Sequence, residues 1–418
     1  AGRVRAGVCF RLLSRSAYER APTSTPPELE ALPLESLVLQ VRHMGFEPRA
    51  FLAAAPTPPA EVRVAAAEEA LLALGAVSPS SDVTALGQHL ARLPCDVRLG
   101  KLLVLGAVLG CEGPAAALAG CLSVRSPLLR GDEASDAHRK ELRRSLRPGG
   151  GRSDHCMLAQ LALFWAQASG RSSRREICAK YALSFDRMSE AETVSGQLLR
   201  ELAGLGFGEG RQGTMMRTSI ADVAQPSWRL LRAAVCAAFY PMVARIERPA
   251  PTYAEGISGA MQVDDKARDI RYFVREPQGA GGKLARARAF LHPGSGLFHE
   301  SAFSVPYVVF SAKQIQEQRN NAHYPTRLVL DMASECSVFA LLLFGGRLRA
   351  DHGSSTLLLD EWVRVRSGST AVGAMVEKLR TELDALLMRK IEEPSAQLSE
   401  GPVARALVEL LETDGLGT

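Results

Sequence analysis

The apolar and polar positions fall into their most distinctive pattern over residues 84–127. The stretch opens with Thr84 ahead of an amphipathic run and turns at Pro94. It then continues as two segments that are apolar on every side, divided at Glu112-Gly113-Pro114. A helix without a polar face is buried all round, so the pattern predicts a capped helix and two central helices in the middle of the molecule. Thr84 suits the N-cap, where its hydroxyl accepts from a free N–H of the first turn.

Upstream, Leu34, Leu37, Val38 and Val41 recur at helical spacing, and Val64, Ala67, Leu71 and Leu74 do so again, with Gly75 placed as a C-cap. Ser78-Pro79-Ser80-Ser81-Asp82 is turn material between short strands at Val77 and Val83. From Asp96 to about Arg248 the pattern is helical, with Leu158, Leu161 and Trp165 striping a helix that opens at Ser153-Asp154-His155. Residues 249–266, rich in Pro, Gly, Ser and Ala, read as a linker, and beyond it the period falls to two. Arg286-Ala-Arg288-Ala-Phe290 and Trp362-Val-Arg364-Val-Arg366 place arginines on one strand face and small or apolar residues on the other. With apolar runs at 307–310, 327–330 and 338–344 they give five or six strands, enough for a small antiparallel barrel. A long helix is expected over 369–394, with Val372, Val376, Leu379, Leu383 and Leu386 on one side, and a weaker one near 403–411. The expected fold class is α+β and multidomain.

The 418 residues suffice for two to four domains, and 46% hydrophobic with 23% charged residues is ordinary globular material. A net charge of +5 is compatible with nucleic acid but is shared by many enzymes, so charge has to be argued locally. The eight cysteines (Cys9, Cys95, Cys111, Cys121, Cys156, Cys178, Cys236 and Cys336) contain no C-x-x-C pair. Their spacing supports neither a zinc site nor a disulfide framework and favours a reducing compartment. The apolar run 102–122 has the length of a membrane span, but its interruption at Glu112-Gly113-Pro114 argues for two buried helices instead. The first twenty residues are Arg-rich and nearly free of acids, as organelle-targeting leaders are. Yet the chain starts without Met, and Val8-Cys9-Phe10-Arg11-Leu12-Leu13 is strand-like, so the edge of a larger domain is the preferred expectation.

Three stretches imitate catalytic motifs. Asp132-Glu133-Ala134-Ser135 looks like a Mg²⁺-binding acidic motif, but it opens a polar segment instead of closing an apolar strand. The glycine-rich loop 147–152 does not match the G-x-x-x-x-G-K-[ST] phosphate cradle, nor does any other stretch, so the chain alone has no visible means of turning over ATP. Ser153-Asp154-His155 is no triad, because consecutive residues at a helix start point in different directions; capping is the expected role. Arg286, Arg288, Arg364 and Arg366, with Lys283 and Arg319 on nearby loops, could neutralise phosphates. A solvated strand face would look the same, and the residues by themselves leave both readings open.

The motif order resembles the C-terminal half of DEAH/DExH-box RNA helicases. Thr84, Leu86, Gly87, Leu90, Leu93, Pro94, Asp96, Arg98, Leu99, Gly100 and Lys101 match the junction of that family's winged-helix and ratchet domains. Arg175, Cys178, Ala179, Tyr181, Leu183, Ser184 and Met188 look like its ratchet domain, and Leu341-Leu342-Leu343-Phe344-Gly345-Gly346 with Leu359-Asp360-Glu361-Trp362 look like its OB-fold. Two places depart from the pattern: His292-Pro293-Gly294-Ser295 stands where the family has HPSS, and Asp331-Met332-Ala333-Ser334 fits D-x-T-x-V poorly. The ending Leu379-Arg380, Leu383, Leu386-Leu387, Lys390-Ile391, Pro394 is similar to the RNA helicase A-like subgroup.

The resemblance implies five segments: 1–25, the end of a second RecA-like domain with a motif VI remnant; 26–94, a winged helix; 95–248, a helical ratchet domain; 249–368, an OB-fold; and 369–418, a C-terminal helix and tail. Arg3 matches the second arginine finger of motif VI, which acts on the γ-phosphate only together with RecA-like domains, and Ala6 replaces a family proline. The implied function is the accessory half of an ATP-dependent 3′-to-5′ RNA helicase, gripping single-stranded RNA between ratchet domain and OB-fold. ATP and Mg²⁺ would serve the parent enzyme, with no cofactor bound by this chain alone. Upstream RecA-like domains and an activator protein are the implied partners, with no membrane, in cytoplasm or nucleus. The alternative is a protein-interaction module that docks an activator through the OB-fold or winged helix.

Overall fold

The structure, a computed structural model, describes residues 4–129, 152–207, 227–250, 266–278, 283–316, 327–396 and 401–414 apart from positions 23, 26, 352 and 354. It also describes residues 137, 142 and 146 and the backbone of 253–256 and 259–262; side chains at 277, 278, 283 and 284 are not described. Arg3, Arg319, residues 132–135 and most of the 147–152 loop lie outside the described residues.

Residues 4–13 form neither helix nor strand, and Val8, Phe10 and Leu12 are exposed, which corrects the strand expected there. A strand needs a neighbour for its backbone N–H and C=O groups, and no described residue supplies one. After α1 (Arg15–Arg20) and α2 (Glu28–Ala31), a small core gathers under α3 (Glu35–His43), α4 (Pro48–Ala53) and α5 (Glu61–Leu74). Leu34, Val38, Val64, Ala67, Leu71 and Leu74 fill it at the expected spacing, joined by Leu39. Gly75 ends α5 in the left-handed conformation, φ +75°. A single bridge, Val77↔Val83, makes the hairpin. Thr84 caps α6 (Ala85–Arg92), accepting from Gly87 N at 3.0 Å while its hydroxyl donates to Gly75 O at 2.7 Å. Lys101 Nζ donates to Leu74 O at 3.0 Å, tying this unit to the helices beyond.

The two central helices are α7 (Val97–Leu109) and α8 (Glu112–Ser123). Their break falls at Gly110 (φ +72°) and Cys111, so Glu112, Gly113 and Pro114 form the first turn of α8. The bundle continues with α9 (Asp154–Gln167), α10 (Gly170–Tyr181), α11 (Phe185–Gly204) and α12 (Trp228–Phe239). Helices α8 and α11 approach so closely that a Cβ on Gly120 would lie 2.1 Å from Ser195 Oγ. No helix among the described residues is long and apolar enough to cross a membrane. All eight thiols are free, and five are buried; Cys9 is exposed, while Cys95 and Cys178 are partly covered.

A closed barrel follows, with strand order β1 (Val243–Glu247), β4 (Arg271–Gln278), β5 (Lys283–Leu291), β7 (Arg327–Glu335) and β6 (Tyr307–Gln316). Every pairing is antiparallel except β5 with β7, the connectivity of a five-stranded OB barrel. Ile246, Tyr272, Val274, Leu291, Phe310 and Leu330 are among its core. Several expectations change here. The first barrel strand lies within the segment expected to be purely helical. The expected linker carries a hairpin, β2 (Tyr253–Gly256) with β3 (Gly259–Gln262), between the first two barrel strands.

The apolar run 338–344 is a helix, α13 (Val338–Phe344), not a strand. Ser337 caps it by accepting from Phe339 N at 3.2 Å, and Ala340, Leu341, Leu342 and Leu343 are buried. A short run that is apolar on all sides cannot be assigned by periodicity, and the cap decided the outcome. Arg364 and Arg366 do sit on a strand, β10 (Val363–Arg366), but it joins β8 (Leu348–Asp351) and β9 (Thr356–Leu359) in a separate three-stranded sheet outside the barrel. Asp360 fastens this sheet: it accepts from Arg347 N at 2.6 Å and from the Tyr240 hydroxyl. A Cβ on Gly346 would fall 1.9 Å from its carboxylate, so glycine is required there. Finally α14 (Thr370–Glu392), capped by Ser369, buries Leu383 and Ile391 but leaves Val372 exposed, and α15 (Pro402–Thr413) buries Leu407 and Leu411 in the same large core.

Candidate nucleic-acid interface

The start of α9 is the joint between bundle and barrel. Ser153 caps the helix as expected, accepting from Cys156 N at 3.0 Å, and its hydroxyl also meets Ser334 Oγ at 2.7 Å. Asp154 does something the sequence did not announce. Its buried carboxylate accepts from Ser295 Oγ at 2.6 Å, Gly296 N at 2.7 Å and Ala333 N at 3.0 Å, so it holds the loop after β5 and the end of β7 together. His155 is fully buried against Phe239, with Nδ1 2.6 Å from Ser334 Oγ. Burial, with no charged partner to offset it, pushes its pKa down to about 3. Arg152 extends the joint through Glu300 at 2.8 Å and the buried Glu335. The Ser-Asp-His string is therefore an interdomain clamp. Both stretches that departed from the family pattern, 292–295 and 331–334, are its partners.

Beside the clamp lies a groove of about 600 Å³. Glu35 comes from the small N-terminal unit; Asp96, Arg98, Leu99, Leu122 and Ser126 come from the bundle; Ser295, Ser311, Lys313, Asp331 and Met332 come from the barrel. The ladder between β6 and β7 passes directly from Phe310↔Ala333 to Ala312↔Asp331, skipping Ser311 and Met332. Met332 there takes a left-handed backbone, φ +51°. A non-glycine residue in that conformation is strained, and such strain is concentrated at ligand sites. Among the described residues the groove has four carboxylates (Glu35, Asp96, Asp154 and Asp331) against two cations. Of these cations, Arg98 leans on Glu35 at 3.4 Å and keeps a buried Nε without a partner, while Lys313 reaches Glu276 at 2.6 Å. Hydroxyls and apolar side chains, not positive charge, characterise its walls.

The arginines expected to wall such a channel lie elsewhere. Neither Arg286, Arg288, Arg364 nor Arg366 lines the groove. Arg286 and Arg288 occupy outward positions of β5, and Arg364 and Arg366 are exposed on the separate sheet. The sequence alternation correctly gave them one strand face but could not say which side of a closed barrel that face would take. Lys283 begins β5, and its side chain is not described. Arg98, Ser311, Lys313 and Met332 were missed. Arg98 and Met332 stand inside motifs noted for their resemblance, while Ser311 and Lys313 carry no local signal in an otherwise ordinary strand.

Comparison with known proteins finds four matching domain families along the chain. Residues 67–95 match the winged-helix part of the helicase-associated domain (HA2), and 96–158 match its ratchet-like part. Residues 231–348 match the oligonucleotide/oligosaccharide-binding (OB)-fold, and 355–413 match the C-terminal domain in RNA helicases. A DEAH-box ATP-dependent helicase of Mycosarcoma maydis is 32% identical over all of this chain and 27% of its own length. The DExH-box ATP-dependent RNA helicase DExH1 of Arabidopsis thaliana is 30% identical over 98% of the chain and 37% of its length. The human ATP-dependent DNA/RNA helicase DHX36 is 27% identical over the whole chain and 39% of its length. The chain thus spans between a quarter and two fifths of these relatives. From winged helix through ratchet bundle and OB barrel to the C-terminal sheet and helices, it belongs to the DExH-box RNA helicase family.

Proposed function

We propose that the chain is the strand-guiding part of an ATP-dependent 3′-to-5′ RNA helicase and seats single-stranded RNA in the groove between ratchet bundle and OB barrel. The observation that carries this reading is the groove itself: three units contribute walls, and the Asp154 clamp fixes the spacing of two of them. Its chemistry suits a strand threaded with bases and sugars inward. Ser126 and Ser311 offer hydroxyls to ribose and base edges, Met332, Leu99 and Leu122 offer apolar contact, and Lys313 and Arg98 would turn from Glu276 and Glu35 to meet phosphates. A wall this poor in free positive charge lets a strand slide, because no row of ion pairs has to break at each step.

ATP hydrolysis belongs in this reading to RecA-like domains, with Mg²⁺, and Arg3 would contribute there as an arginine finger. The partners are then RNA and those motor domains, in the cytoplasm or nucleus, and the RNA helicase A-like subgroup is the assignment the C-terminal motif favours. Fluorescence anisotropy with a short labelled oligouridylate tests the groove. Lys313→Glu should weaken binding about tenfold, since it removes one phosphate partner and adds a repelling charge. An unchanged affinity in a variant that melts normally rejects the groove, and an activator protein binding the OB barrel in place of RNA would favour the docking alternative.

A further inference from the structure

Among the described residues the groove has two cations, and each is held by a carboxylate from another element. Arg98 stands in the first turn of α7, where its backbone N–H donates to Asp96 Oδ1 at 2.8 Å and its Nη1 meets Glu35 Oε1 at 3.4 Å. Glu35 opens α3, so this contact crosses from the bundle to the small N-terminal unit. Both side chains are largely buried, 19% and 15% exposed, which shields the pair from screening. The contact is nevertheless poor. A well-made guanidinium–carboxylate bond is about 2.7–2.9 Å long and is often doubled. Arg98 makes a single long one and leaves its Nε buried without a partner. On the barrel side Lys313 Nζ meets both oxygens of Glu276, at 2.6 and 2.8 Å, but that pair is more open, 42% and 27% exposed.

A buried N–H with no acceptor costs free energy that a ligand oxygen can recover. Arg98 therefore gains by exchanging Glu35 for an anion that takes Nε and an Nη together, the two-pronged geometry of a phosphate. Glu35 opposes the exchange, because it would be left half-buried and unpaired beside the incoming charge. We propose that Glu35 is a brake on the strand: it competes with RNA phosphate for Arg98, so the N-terminal, winged-helix unit sets the affinity of a groove walled mainly by bundle and barrel. Glu276 does the same for Lys313 more weakly, since a half-exposed pair is screened by water and salt. The brake presupposes that the strand lies in the groove, and it supplies the regulation of that site. A displacement of α3 away from α7 frees Arg98 and tightens the grip, and a closer approach loosens it.

The test is anisotropy of a short labelled oligouridylate on the whole chain, with the melting of each variant checked against the parent. Glu35→Gln should bind about fivefold more tightly, and Glu276→Gln about twofold. Glu35→Asp keeps the charge but withdraws the carboxylate by one methylene. It should tighten binding about twofold, where repulsion at a distance predicts no change, and it decides the matter if Glu35→Gln fails to fold. Asp331, whose carboxylate accepts from Met332 N at 3.0 Å, forms no ion pair with a described residue. Asp331→Asn removes the same charge from the groove and should change affinity less than about twofold. In an Arg98→Gln background Glu35→Gln should bring no gain, since the cation it competes for is gone. A Glu35→Gln chain that melts as the parent does and binds no more tightly overturns the brake. So does a gain that persists in full without Arg98 or is matched by Asp331→Asn, since either is long-range repulsion alone. If Arg98→Gln and Lys313→Glu both leave binding unchanged, the groove reading falls and the brake with it. If both weaken binding while Glu35→Gln and Glu35→Asp do nothing, the brake alone falls.

Discussion

The two sides of one small barrel carry opposite chemistry. The groove side presents hydroxyls, methionine and leucine, with carboxylates outnumbering cations; the outward side of β1, β4 and β5 presents arginines laid over phenylalanines around Glu247. Strand alternation sorts inward from outward residues, but only the closure of the barrel and its docking on the bundle decide which of its surfaces meets a neighbour. Positive charge is therefore a poor guide to the groove in this molecule. It marks the outside, while the groove is marked by a clamp, a skipped ladder position and a strained Met332.

This contrast can be broken most forcefully at the joint that keeps the two sides in place. Asp154→Ala leaves three buried or half-buried donors without an acceptor and should destabilise the chain by about 3–5 kcal/mol, read by chemical denaturation. A loss under about 1 kcal/mol would mean that the clamp is not what holds barrel to bundle.

Acidification attacks the same joint more gently. His155 has a folded pKa of about 3 against an ordinary 6.5, so the unfolded chain binds its proton first. Its stabilising contribution is complete above pH 6.5 and is lost as pH falls from there towards 3. At pH 5 the loss should be about 2 kcal/mol, and His155→Asn should lose that much less between pH 7 and pH 5 than the parent chain does. Equal acid sensitivity in the two would show that His155 is not buried neutral. Next in size is the about tenfold weakening of RNA binding expected from Lys313→Glu, which sharpens the groove side alone. The smallest effect belongs to Arg364→Gln with Arg366→Gln. On a sheet outside the groove, these should change RNA affinity less than about twofold, and a larger loss would extend RNA contact to the C-terminal sheet.

Much of the architecture was legible because it obeys simple rules. Thr84 and Ser153 capped the helices they were expected to cap, Gly75 closed α5, and the doubly apolar stretch became the two central helices. What failed did so for identifiable reasons. The run 338–344 has no periodicity to read, so a cap at Ser337 made a helix of an expected strand. The Pro- and Gly-rich 249–266 segment looked like a linker because a short hairpin between barrel strands uses the same turn residues. The candidate site was less legible still. Asp154 and Ser295 are 141 positions apart, and nothing near either predicts that one carboxylate will gather the other's loop.

The central claim is that the strand runs between bundle and barrel. The most direct measurement is photocrosslinking of a short thiouridine-bearing RNA to the chain, with the attached peptides identified by mass spectrometry. Crosslinks at Met332, Met242 or Phe239 in the groove are the predicted result. Crosslinks confined to β4 and β5, with none in the groove, would contradict it.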